Sequence, residues 1–217
     1  MDERATGFIL RTYPLSETSL IVQWLTQSQG RIATVAKGAR RQKSPFRGKL
    51  DLFFRCDFSF ARSRRSELHT LKEVTLLDSA PIVRQDLRRL HHAAYASALI
   101  QQTTETDSPV PELFDLLAGF LSILPRATSP VSMLAFELKL LEALGLSPEA
   151  EGARRLNRGT NQIMKFLLTS GWNEIDRLKL NDAQLRELRQ FLQGFLAYHL
   201  GKILPTRKRA LDQSATD

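Results

Sequence analysis

Between Phe8 and Leu77 the apolar residues of this 217-residue chain recur with period two, and beyond Pro81 they recur at three- and four-residue steps. No other feature constrains the fold as strongly, because a strand shows alternate residues to one face and a helix every third or fourth. Phe8 and Leu10, then Leu20, Val22 and Trp24, then Ile32, Thr34 and Ala36 mark three strands, with Ser28-Gln29-Gly30 as the turn between the second and third. Phe54, Cys56, Phe58 and Phe60 alternate with Arg55, Asp57, Ser59 and Ala61 in a fourth, and residues 68–77 make a fifth after Ser63-Arg64-Arg65-Ser66. Five short strands with one long loop between the third and fourth suit a small closed Greek-key barrel of the oligonucleotide-binding (OB) type. An SH3-like barrel is the rival, since periodicity yields strands and not topology.

The composition changes at Asp78-Ser79-Ala80-Pro81, where Leu and Ala take over. The expected fold class is therefore α+β: a five-stranded barrel over residues 1–79, an all-α domain over 80–205, and a basic, then flexible, tail over 206–217. A first helix is expected from about Val83 to Gln102. A second, apolar one runs through Leu113, Leu117, Phe120 and Leu124 between Pro109 and Pro125. Ser129 followed by Pro130 is a helix start and Gly145 its stop. Thr160–Thr169 is a short helix closed by Gly171, and Asn181 with Gln184 three residues on opens a long one that ends near Pro205, carrying His199 at the edge of its seam.

Charge is distributed unevenly. Residues 31–65 hold eleven Lys and Arg against Asp51 and Asp57, while the remaining 20 basic and 21 acidic residues nearly cancel, so the net +8 reads as one patch. That is the electrostatic footprint of a polyanion site. Its centre is the loop Gly38–Lys49, with no acid and with Pro45 inside it. The expected DNA-binding residues are Arg31, Lys37, Arg40, Arg41, Lys43, Arg47, Lys49, Arg62, Arg64 and Arg65. Phe46 joins them as a base-stacking face, because a loop has no core of its own and single strands are held by cations and aromatic faces together. Tyr13 and Phe53 are further aromatics, each with barrel filling as the competing role.

Other chemistries find little support. No apolar run is long enough to span a membrane, and the N-terminal M-D-E-R has no secretory character. The single Cys56, flanked by aromatics, can form neither an internal disulfide nor a cysteine zinc cluster and fits a small core hydrophobe in a reducing compartment. His91 and His92 are adjacent on a helix and point about 100° apart, so they do not share a metal ion. No phosphate-cradling glycine motif, Ser/His/Asp set or carboxylate pair stands out. A nucleic-acid enzyme is thus disfavoured beside a binding protein, or beside a scaffold whose basic barrel meets an acidic protein partner.

The order of Gly7-Phe8-Ile9-Leu10, Ser19-Leu20-Ile21-Val22, Lys37-Gly38-Ala39-Arg40-Arg41, Ser44 through Leu50, Leu76-Leu77-Asp78-Ser79, Ala94-Tyr95-Ala96-Ser97, Glu112 through Leu117, Phe136 through Leu141 and Tyr198-His199-Leu200-Gly201 resembles the bacterial RecO family of recombination mediators. The resemblance implies an OB-type barrel followed by a helical domain, with no cofactor and no catalytic turnover. Such proteins bind single- and double-stranded DNA, anneal complementary strands, engage the acidic C-terminal tail of single-strand-binding protein, and with the ring protein RecR help load RecA in the bacterial cytoplasm at the nucleoid. They often carry a cysteine-rich zinc element between the third and last helices. Here Gly145-Leu146-Ser147-Pro148 passes through Glu149–Arg155 into Leu156 with no cysteine, so no metal site is expected. An acidic, apolar-ended partner tail would want a basic rim on the helical domain, for which Arg84, Arg88, Arg89 and Lys139 are the candidates.

Overall fold

A computed structural model describes residues 2–126 and 128–212. The chain forms two units, one running through Pro81 and including Thr103–Asp115, the other made of Ile82–Gln102 and the residues from Leu116 onward. The first unit contains β1 (Asp2–Pro14), β2 (Leu20–Thr26), β3 (Arg31–Ala36), β4 (Arg55–Ala61) and β5 (Leu68–Asp78). They close into a barrel in the order β1-β2-β3-β5-β4, with β3 parallel to β5 and every other pair antiparallel. This is the OB-type arrangement rather than the SH3-like one.

The barrel core is built from alternate residues of each strand. Trp24 stacks on Phe58 with ring centroids 4.0 Å apart, and its indole N–H donates to the buried Thr34 hydroxyl at 2.8 Å. Ile9, Val22, Ile32, Phe60, Leu71 and Val74 complete the layer, and Cys56 lies fully inside it as a small hydrophobe. Burial pushes the Cys56 thiol up to about 12.

Strand β1 departs from the period-two reading. Its inward residue is Ile9, while Phe8 turns outward onto Phe114, 5.0 Å between ring centroids, and Leu10 is the extra residue where the register shifts between Ile9 and Arg11. Ile9, opposite Trp24 and ahead of the bulge, carries the inward face together with Ala5, so the Phe8/Leu10 pair is not the core face of this strand, and the bulge reverses the alternation only beyond Leu10.

The segment 103–109 is fastened to the barrel. Asp107 N–H donates to the Arg31 carbonyl at 2.9 Å, and Arg31 and Thr106 form an isolated parallel bridge. At Gly30, with φ of 72°, a Cβ would fall 2.2 Å from the Ser108 carbonyl oxygen, so the approach requires glycine.

The second unit holds α1 (Leu87–Thr103), α2 (Pro111–Ile123, whose first residues belong to the first unit), α3 (Pro130–Ala143), α4 (Pro148–Arg155), α5 (Arg158–Thr169), α6 (Trp172–Arg177), α7 (Asp182–Leu200) and α8 (Thr206–Leu211). Ser129 caps α3 by accepting from Ser132 N–H, Pro130 opens it, and Gly145 follows it with φ of 74°. Asn181 and Gln184 form the reciprocal box that starts α7, which stops earlier than Pro205, at a left-handed Gly201.

Three helices escaped the sequence reading. Helix α4 occupies the stretch read only as a passage, α6 follows Gly171, and α8 occupies the start of the supposed tail. Residues 83–85 are a separate 3₁₀ turn, because Asp86 is extended and its carboxylate accepts from Arg89 N–H at 2.9 Å, which starts α1 anew and holds the Asp86 carboxyl below its usual range.

Helix α3 is the centre of this unit and is buried along nearly its whole length. Glu137, 0% exposed, receives Arg207 Nε at 2.7 Å, Arg207 Nη2 at 2.9 Å and the Tyr95 hydroxyl at 2.6 Å. Arg207, read as part of the basic tail, is therefore the bolt of α8, and Ala210 and Leu211 are buried beside it. Of the tail expected over 206–217, residues 206–211 form α8, while 213–217 lie outside the described residues.

Candidate nucleic-acid interface

The loop between β3 and β4 is an ordered arm. Gly38, Arg41, Ser44 and Arg47 are linked by backbone bonds from each N–H to the carbonyl three residues before, at 3.1, 3.1 and 3.2 Å, and Lys49 N–H closes a further turn on Phe46. Gly38 and Gly48 supply the left-handed φ values of 69° and 72° that start and end this run. The β1–β2 turn holds its base: Thr18 accepts from Arg40 N–H at 2.9 Å, Ser19 Oγ from Gly38 N–H, and the Ser16 carbonyl from the Arg40 guanidinium at 3.2 Å. Lys49 Nζ pins the far end by donating to the Val74 carbonyl at 3.1 Å.

Phe46 overturns the stacking expectation. It is 7% exposed and belongs to the barrel core, with Leu20, Ala39 and Leu50 packed against that core from the arm side. The arm does have a core of its own, borrowed from the open end of the barrel, and Phe46 plugs it. Phe53 is also buried, in a left-handed conformation with φ of 67°, and donates its N–H to Ile9. Tyr13 is half-buried, and the exposed Arg11 lies with its guanidinium 4.7 Å from the Tyr13 ring centre.

The ten basic residues expected to bind DNA do not make one patch. Because β5 starts beside the early part of β3, with Ala33 opposite Leu68, the β4–β5 turn lies at the end of the barrel where β3 begins. The arm leaves from the other end of β3, about 20 Å away at the rise of a strand. Lys37, Arg40, Arg41, Lys43, Arg47 and Lys49 therefore form one group, and Arg31, Arg62, Arg64 and Arg65 another.

Within the second group two cations are structural. Arg31 donates to the Thr104 carbonyl at 3.0 Å, the Thr104 hydroxyl and Gln23. Arg62 holds Glu3 through two bonds of 2.7 and 3.1 Å, Asp107 at 2.8 Å and Gln29 at 3.1 Å. Its hydrogen bonds to Glu3 and Asp107 raise the Arg62 pKa further, and the same bond lowers that of Glu3. The buried His69 completes this knot, stacked on Phe60, its Nδ1 accepting from Ser63 N–H; burial, then the Arg62 charge, lowers its pKa. Arg64 and Arg65 remain exposed on the turn.

In the arm the balance differs. Lys37, Arg40, Arg41, Lys43 and Arg47 are exposed, and among the described residues none of them pairs with a carboxylate. A row of cations held on a rigid arm can meet a polyanion with little ordering loss.

The residues proposed as a rim on the helical unit do not come together. The buried His92 bridges the Arg88 carbonyl, at 2.8 Å, and the Ser129 carbonyl at the start of α3. Lys139 lies ten residues further along α3, about 15 Å by the helical rise. It is half-buried, donates to the Leu168 carbonyl at 2.7 Å, and has its pKa lowered by burial. Arg89 donates to the Ile82 carbonyl, while Arg84 and Arg88 are exposed.

Comparison with known proteins decides the family. The model "Recombination protein O N terminal" matches residues 1–80, and "Recombination protein O C terminal" matches 84–151 and 149–208. The chain belongs to the RecO family. Its similarity to "DNA repair protein RecO" of Rhodopirellula baltica is 32% identity over 195 residues, covering 80% of this chain and 72% of the relative. With "DNA repair protein RecO" of Anaeromyxobacter dehalogenans (strain 2CP-C) it shares 29% over 244 residues, covering 97% and 96%. The RecO barrel match spans the whole arm, and the two C-terminal segments meet inside α4, in the stretch without cysteine. A role in DNA repair and recombination follows from this membership. No helix among the described residues is long and apolar enough to cross a membrane.

Proposed function

We propose that the protein is a DNA-binding recombination mediator that works without catalytic turnover in the cytoplasm, at the nucleoid. It grips single- and double-stranded DNA through Lys37, Arg40, Arg41, Lys43 and Arg47, with Arg64 and Arg65 as a second contact at the other end of the barrel. It anneals complementary strands, engages the acidic tail of single-strand-binding protein and, with RecR, helps load RecA onto strands coated by that protein. One observation carries the DNA part of this reading: five exposed cations stand on an ordered arm of an OB-type barrel with no carboxylate partner among the described residues. The annealing and loading steps rest on what the family resemblance implies.

The test is annealing of two complementary oligonucleotides, bare and coated with single-strand-binding protein, across a salt series. The native protein is compared with the variant Arg40→Ala/Arg41→Ala/Lys43→Ala/Arg47→Ala. Five phosphate contacts give a logarithmic salt slope of about −3.5 for a single strand, and four lost contacts bring it to about −0.7. A native protein that neither binds nor anneals DNA would sink the proposal and assign the arm to an acidic protein partner.

A further inference from the structure

Beside the arm lies a depression of about 300 Å³, lined by Leu20, Ala39, Phe46 and Leu50 and by Arg40, Arg41 and Arg47. We propose that it seats one unpaired base of a single DNA strand while the arginines hold the phosphates on either side. The proposal rests on the DNA-binding reading above and adds a ligand site to it.

The lining chemistry is what suggests a base. Leu20, Ala39 and Leu50 are left half-buried, and with the buried Phe46 they make an apolar floor at the end of the barrel core. Three arginines surround that floor, and no carboxylate lines the depression. An apolar seat inside a ring of cations fits a flat, neutral group attached to an anionic chain, and a nucleotide is such a group. The volume is at the lower limit of small-molecule sites, roughly 300 Å³, which suits one base and not a base pair.

The rim is also organised in advance. The Arg40 guanidinium is held by the Ser16 carbonyl at 3.2 Å and the Arg47 guanidinium by the Gln42 carbonyl at 3.2 Å. Arg47 N–H is fixed on Ser44, and Ser44 Oγ accepts from Phe46 N–H at 3.2 Å, so floor and rim are set by the same turn. A base already paired cannot enter, so the site favours single strands and lets go of each base as it pairs.

The experiment compares equilibrium binding of three 12-nucleotide strands to the full chain: a normal strand, one whose sugars all lack bases, and one with a single base among such sugars. Covering the apolar floor with one base face is expected to tighten binding by roughly 10-fold in Kd, about 1.4 kcal/mol. The normal and single-base strands are expected to bind that much tighter than the baseless one, with the same salt slope for all three. Ala39→Leu, which fills the depression and leaves every charge in place, should lower normal-strand affinity to the baseless level and leave duplex affinity unchanged. Equal binding of all three strands to the native protein overturns the base seat while leaving the DNA-binding reading intact. Absence of binding to any strand removes both. Displacement of DNA by an acidic, apolar-ended peptide, without dependence on the base, assigns the depression to a protein partner and overturns the proposal too.

Discussion

Replacing Arg207 by Ala leaves the Glu137 carboxylate, at 0% exposure, without the cation that is hydrogen-bonded to it. In the native unit that carboxylate takes two bonds from Arg207, at 2.7 and 2.9 Å, and one from Tyr95 at 2.6 Å, with Arg207 itself only 5% exposed. Breaking such a buried pair on one side costs about 3–5 kcal/mol, most of it the penalty of a stranded charge. The helical unit has about 120 residues, for which each kcal/mol moves Tm by about 4 °C, so a fall of roughly 12–20 °C in its transition is expected. Urea denaturation followed by helix ellipticity measures the free energy directly. The triple replacement Tyr95→Phe/Glu137→Met/Arg207→Met removes every member of the triad and should recover most of the loss, because none of the triad's own charges or its hydroxyl is then left unpartnered. A loss under about 1 kcal/mol for Arg207→Ala, or a triple variant no more stable than the single one, would refute the argument that α8 is held by this bond.

Phe46→Ala should destabilise the barrel by about 3–5 kcal/mol, since it empties a core position rather than a loop surface; a variant with native stability would return Phe46 to the surface role. Stability should also fall as the solution is acidified from pH 7.5 to 5.5. Burial lowers the pKa of His69 in the barrel, and burial, against the two carbonyls it faces, lowers that of His92 in the helical unit. The unfolded chain therefore takes up protons just below the ordinary value of 6.5 while the folded chain does not, so stability is full above that value and declines below it. Urea midpoints at the two pH values check this, and His92→Gln should flatten the decline for the helical transition; an unchanged slope in that variant excludes His92 as its source.

Where one periodicity governs a stretch, the fold could be read from it. Val22, Trp24, Ile32, Thr34 and Ala36 alternate as strands of one barrel face, and Ser129-Pro130 and Asn181-Gln184 cap helices as their side chains dictate. The reading failed where a local event shifts the period or where only a tertiary partner explains a residue. In β1 Phe8 packs on Phe114 while Ile9 takes the core face, and Asp86 split the first helix by bonding Arg89. Arg207 carries the same charge in the sequence as Lys208 and Arg209, and nothing local marks it as the one that meets Glu137, 70 residues away.

The basic window shows the same limit at the site itself. A count over residues 31–65 sums charge along the chain, but the field that a ligand meets depends on which side chains are spent on internal carboxylates and on which end of the barrel each stands. Arg31 and Arg62 secure the segment 103–109, and with Arg64 and Arg65 they lie at the end opposite the arm. At a Debye length of about 8 Å in physiological salt, two groups about 20 Å apart act on separate stretches of a polyanion. The arm variant should therefore leave a weak, salt-sensitive contact through Arg64 and Arg65. Replacing those two alone should lower the salt slope by about 1.4 for a single strand without abolishing annealing, and a slope unchanged by their loss would confine DNA to the arm.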